Sequence, residues 1–83
     1  MWEETIFKEV KKAIRSIHKN IHKEIELTDK IKEYVQVIDA PNLAGELNSI
    51  FPKVKTTMLL NSLYDPISKI SDLVTYINKI YSE

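Results

Sequence analysis

Apolar residues at Phe7, Val10, Ile14, Ile17 and Ile21 advance along the chain in alternating steps of three and four. Residues so spaced lie on one face of an α-helix. At about 100° per residue, these five side chains share an arc of roughly 80°. Lys8, Lys11, Lys12, Arg15, Lys19 and Lys23 gather on nearly the opposite side. The stretch predicts an amphipathic helix with one apolar face and one cationic face. The rest of the chain has to cover the apolar one.

Only one glycine and three prolines interrupt the 83 residues, and no strand alternation or Asn-Gly turn marks a hairpin. The apolar spacing is helical nearly throughout. The expected fold is all-α: a single domain over residues 1–83, built as a small antiparallel bundle of three to four helices with short connections. The same register also allows a helical hairpin or a homo-oligomeric coiled coil.

The first helix is expected to begin near Glu3, with Glu3 and Glu4 favourably placed in its first turn. Its rhythm continues through Glu24, Thr28, Ile31, Val35 and Ile38, so one long helix over 3–39 fits the register. Glu24 on a buried seam would be costly, however, and Ile25 and Leu27 open a shifted stripe. That favours a break near Leu27-Thr28-Asp29, with Thr28 or Asp29 capping a second helix to Ile38.

Asp39-Ala40-Pro41-Asn42 should end that segment, because the residue before proline is pushed away from helix. The next helix carries Leu43, Leu47 and Ile50 on one face, with Ala44 and Phe51 beside them. Gly45 within it either costs about 1 kcal/mol relative to alanine or marks a close helix approach. Pro52 bends or restarts the chain, and Val54, Met58, Leu59 and Leu63 carry the pattern to Tyr64. Asp65-Pro66 reads as an N-cap followed by proline at the first helical position. The last helix has Ile67, Ile70, Val74, Ile77 and Tyr81 on its seam, with Leu73 and Ile80 adjacent.

No cysteine is present, which excludes a disulfide framework or a thiol nucleophile. The longest apolar run is Met58-Leu59-Leu60, far short of the ~20 residues that span a bilayer. The start, MWEETIFKEV, is acidic and amphipathic, unlike a signal peptide. A soluble, unprocessed, cytoplasmic chain is expected, with peripheral membrane contact as its one membrane association. Lys and Arg balance Asp and Glu at twelve each, yet residues 8–23 hold six Lys/Arg against Glu9 alone. That asymmetry makes the first helix the main electrostatic surface.

Catalytic chemistry finds little footing. His18 and His22 lie four apart with Glu26 a turn further on, a spacing that can hold zinc. A metalloprotease helix needs glutamate directly after the first histidine; here Lys19 stands there, and Lys19 and Lys23 would repel a dication. Two solvated histidines are the better reading, with no metal and no cofactor. Ser68, Ser71 and Asp72 have no histidine after them, and one glycine cannot build a phosphate loop. A non-enzymatic protein is expected.

The cationic face has three readings: an ordinary solvated surface, a membrane-surface helix, or phosphate contacts to nucleic acid. Nucleic acid ranks last, because Arg15 stands alone for base readout and no aromatic interleaves for stacking. A second candidate surface is the exposed side of the last helix, where Tyr76 lies off the seam near Lys69 and Lys79. Exposed aromatics are favoured binding anchors, though an unpaired tyrosine at a bundle edge is the more frequent case.

The stretches DKIKEYVQVID, NLAGELNSI and PISKISDLVTYINKI, in that order, resemble the small immunity proteins that protect bacteria from pediocin- and enterocin-like bacteriocins. The resemblance implies an antiparallel four-helix bundle with no catalytic activity. It implies recognition, from the cytoplasmic side, of a bacteriocin bound to its membrane receptor, a sugar permease. It also implies that roughly residues 42–83 carry specificity for the cognate bacteriocin. Pro52 departs from the pattern by falling inside what should be a long third helix. The family's extension past the last helix has no counterpart in residues 1–83. The rival expectations are a small dimeric nucleic-acid-binding protein of phage, virus or plasmid type, and a homo-oligomerisation module.

Overall fold

The computed structural model describes residues 3–19, 21, 23–55 and 69–82. Three α-helices form among them: α1 over Glu3–Ile17, α2 over Ala40–Ile50 and α3 over Ile70–Ser82. Among the described residues there is no strand, and one isolated antiparallel bridge joins Lys30 to Lys69. The fold is a small all-α bundle, as the apolar spacing predicts.

Helix direction follows from which ends meet. Asn78, near the end of α3, donates its amide to Glu3 at the start of α1. At the other end, the Ile70 and Ser71 N–H groups donate to the carbonyls of Asp29 and Leu27, both at 2.9 Å. α1 and α3 therefore run antiparallel. Phe51, just past α2, packs edge-to-face on Tyr81 near the end of α3, with ring centres 5.8 Å apart. α2 thus also runs against α1.

One core draws on every element. Ile6, Val10, Ala13 and Ile14 come from α1, Leu43, Ala44 and Leu47 from α2, and Ile70, Leu73, Val74 and Ile77 from α3. Phe7 and Ile17 are only half-buried, packed at the margin. The buried arc of α1 is centred on Ile6, Val10, Ala13 and Ile14. It is rotated by about 35° from the arc that the Phe7–Ile21 rhythm defines. The rhythm fits an unbroken helix through Ile21; ending α1 at Ile17 releases that constraint, and the small Ala13 lets a neighbouring helix approach.

The predicted break comes about ten residues early. The last helical bond is that of the His18 N–H to the Ile14 carbonyl, at 2.9 Å. Beyond it, the His18 ring turns to the Tyr34 carbonyl, 2.9 Å from Nδ1. Carbonyl oxygen only accepts, so Nδ1 carries the proton. Nor do residues 28–38 make the expected second α-helix. They hold two three-residue 3₁₀ turns, Ile31–Glu33 and Val37–Asp39.

Carboxylates that reach back to the N–H three residues earlier open the local turns, as they do at the start of a helix. Asp29 Oδ2 accepts the Glu26 N–H at 3.0 Å, and Glu33 Oε2 accepts the Lys30 N–H at 2.8 Å. The resulting coil closes one end of the bundle and buries Ile25, Ile31, Tyr34 and Val35. Glu24 stays exposed while Ile25 is buried, as the cost of burying Glu24 requires.

α2 opens with Pro41 in its first turn, where a missing N–H costs nothing. It stops at Ile50 because Pro52 pushes Phe51 out of the helical region, to φ −121° and ψ 81°. The turn after it is pinned by the Asn48 amide donating to the Val54 carbonyl at 2.6 Å. Val54 is fully buried; Met58, Leu59, Leu63, Tyr64 and the Asp65-Pro66 cap lie outside the described residues.

A Cβ added at Gly45 would meet nothing within 4 Å, so this glycine does not mark a close helix approach. Its backbone is helical and exposed. Gly45→Ala is therefore expected to stabilise the protein by about 0.5–1 kcal/mol, read as a raised urea midpoint. An unchanged or lowered midpoint would contradict the open space seen there.

Candidate binding surface

α1 carries four of the six predicted cations, Lys8, Lys11, Lys12 and Arg15; Lys19 and Lys23 follow in the coil after Ile17. The six therefore do not form one helical stripe. On the helix itself the division of faces holds. Lys8, Lys12 and Arg15 are exposed, turned away from the fully buried Ile6, Val10 and Ile14.

The cations differ in how far they are already engaged. Lys11 lies over the Phe7 ring, with Nζ 4.5 Å from its centre, and 3.5 Å from Glu24 Oε1. Lys12 pairs with Glu9 at 3.5 Å, an exposed i,i+3 contact worth a few tenths of a kcal/mol. Lys23 sits 3.7 Å from Asp29 Oδ2 and 5.4 Å from the centre of the Tyr34 ring. Lys8, Arg15 and Lys19 make no ion pair among the described residues.

Asp29 anchors the coil beside this surface. Its carboxylate receives the Tyr34 hydroxyl, the Glu26 N–H and the Lys23 charge, while its carbonyl receives the Ile70 N–H of α3. These contacts favour the ionised form. The carboxyl is held below its ordinary 3.8, first by the Tyr34 hydroxyl and then by the Glu26 N–H, with the Lys23 charge adding. Lys23 is correspondingly held above its usual value, first by the Tyr34 hydroxyl and then by the Asp29 charge. Burial and the bond to Asp29 push the Tyr34 hydroxyl up.

The second predicted surface does not hold as drawn. Lys69 and Lys79 are exposed, but Lys69 precedes α3 and bridges to Lys30 through its backbone. Tyr76 is half-buried against the core, and its hydroxyl is cut off from solvent without a hydrogen-bond partner among the described residues. Burial pushes that hydroxyl up. The physical reason is position: Tyr76 lies on the flank of the buried Leu73–Ile77 stripe, so its ring follows that stripe inward. It is not an exposed anchor.

His18 spends its Nδ1 proton on Tyr34, and His22 lies outside the described residues. No group of three or more potential metal ligands occurs among the described residues. No helix among them is long and apolar enough to cross a membrane.

The residues the cationic pattern overlooked are Glu24 and Asp29, which fold back onto it. Their signal was present in the sequence: the basic run 8–23 is followed at once by Glu24, Glu26 and Asp29. No family model, no curated protein and no solved structure matches this chain.

Proposed function

We propose that this protein is a non-enzymatic binding module that docks the outer face of α1 onto an anionic membrane surface, beside a membrane-embedded partner. The observation that carries this reading is the exposed set Lys8, Lys12 and Arg15 on one convex helix face, directly opposite the core. With Lys11, the face holds four cations against Glu4, Glu9 and the Glu24 that pairs with Lys11, a surplus of one. Each Lys or Arg near an anionic leaflet contributes about 1 kcal/mol. A convex lysine-rich face suits an array of mobile headgroups. It suits nucleic acid less, since Arg15 is its one guanidinium for base readout.

The resemblance to bacteriocin immunity proteins supplies a specific setting for that surface, the cytoplasmic side of a membrane holding the bacteriocin receptor. α2 takes up NLAGELNSI, and α3 takes up most of PISKISDLVTYINKI. DKIKEYVQVID departs from it, being two 3₁₀ turns rather than a helix.

The test is a triple charge reversal, Lys8→Glu, Lys12→Glu and Arg15→Glu, followed by cosedimentation with vesicles containing anionic lipid at low salt. All three residues are exposed, so helicity by circular dichroism should be retained. Partition onto the vesicles is expected to fall at least tenfold. Unchanged partition would remove this face from the function, and retention on duplex DNA in place of vesicles would favour the nucleic-acid reading.

A further inference from the structure

Glu24 occupies a position that an anionic ligand of α1 would need. Its carboxylate meets Lys11, a cation whose stem is already laid along Phe7 and whose side chain is only 26% exposed. Lys11 is thus the most positioned cation of the face and also a neutralised one. Glu24 itself is held loosely: its side chain is 73% exposed, and its contact is a single one at 3.5 Å. Surface pairs of that kind contribute about 0–1 kcal/mol and yield readily to competitors. The anchor of the same coil is different. Asp29, with its side chain 13% exposed, is tied to Tyr34, Glu26, Lys23 and the start of α3. The coil therefore stays in place while Glu24 can swing.

We infer that Glu24 is an internal competitor for the cationic face of α1, covering Lys11 in the free protein and displaced from it when an anionic surface docks. The inference rests on the docking reading above and adds a regulated cation to it. Affinity is then set partly by an intramolecular acid, so that binding requires enough local negative charge to outcompete Glu24.

The test compares Glu24→Gln with Glu46→Gln on anionic vesicles. Each removes one negative charge; Glu46 is exposed on α2 and makes no ion pair among the described residues. Glu24→Gln is expected to raise vesicle affinity by up to about fivefold, with a clearly smaller rise for Glu46→Gln. In a Lys11→Gln background the extra gain from Glu24→Gln should vanish, whereas a net-charge effect would persist. Equal gains from both glutamine variants, or a gain that survives Lys11→Gln, would overturn the inference and leave the docking reading standing. No vesicle binding by wild type or any variant would overturn both.

Discussion

Phe51→Ala is expected to destabilise the protein by about 3–5 kcal/mol, the range for emptying a buried aromatic site. Phe51 is 2% exposed and does two jobs. Its N–H closes α2 on the Leu47 carbonyl at 2.7 Å, and its ring meets Tyr81 at an interplanar angle of 66°. Tyr81 is held from the same turn by the Lys53 N–H, which donates to its hydroxyl at 3.3 Å, and by the Lys53 ammonium over its ring. The ring thus closes α2 against α3 at the end of the bundle opposite the coil. A domain of this length has roughly 4–12 kcal/mol in total, so the variant should unfold at much lower urea than wild type. A loss below about 1 kcal/mol would show that this end of the bundle is not packed as described.

A second large effect separates the two neighbours at the start of α1. Ile6→Ala should cost about 2–4 kcal/mol, and Phe7→Ala no more than about 1.5 kcal/mol, although phenylalanine is the larger residue. Ile6 is fully buried, while Phe7 is half-buried and carries Lys11 across its ring. Urea unfolding of the two variants checks the order. The reverse order would mean that α1 sits in the rotation its apolar rhythm suggests, with Phe7 at the centre.

That pair also shows what was legible in the sequence. The all-α class and the buried stripe Ile70–Leu73–Val74–Ile77 follow from spacing, whereas the break expected at residues 39–42 does not hold, because α2 already starts at Ala40. The rotation of α1 does not follow from spacing either, because the rhythm assumed a helix through Ile21, and α1 ends at Ile17. Its end depends on His18 finding the Tyr34 carbonyl sixteen residues away. The loss of the second helix goes with α3 presenting the Ile70 and Ser71 N–H groups as donors to the Asp29 and Leu27 carbonyls of the same coil. Such bonds are set by what the folded chain brings within reach, which periodicity does not record. The exposure of Glu24 was readable, but its pairing with Lys11 was not.

The coil also leaves Ile38 79% exposed, against its expected place on a buried seam. A helix over 28–38 would have turned it inward with Ile31 and Val35. In the 3₁₀ turn Val37–Asp39 it points to solvent instead.

The most direct test of the docking claim is a nuclear magnetic resonance titration of the intact chain with nanodiscs of anionic lipid, set beside nanodiscs of zwitterionic lipid. With anionic discs, the amides of Lys8, Lys11, Lys12, Arg15 and Glu24 should lose intensity first, and added salt should restore them; zwitterionic discs should leave them unchanged. Uniform silence, or loss confined to α3, would contradict the assignment of the α1 face.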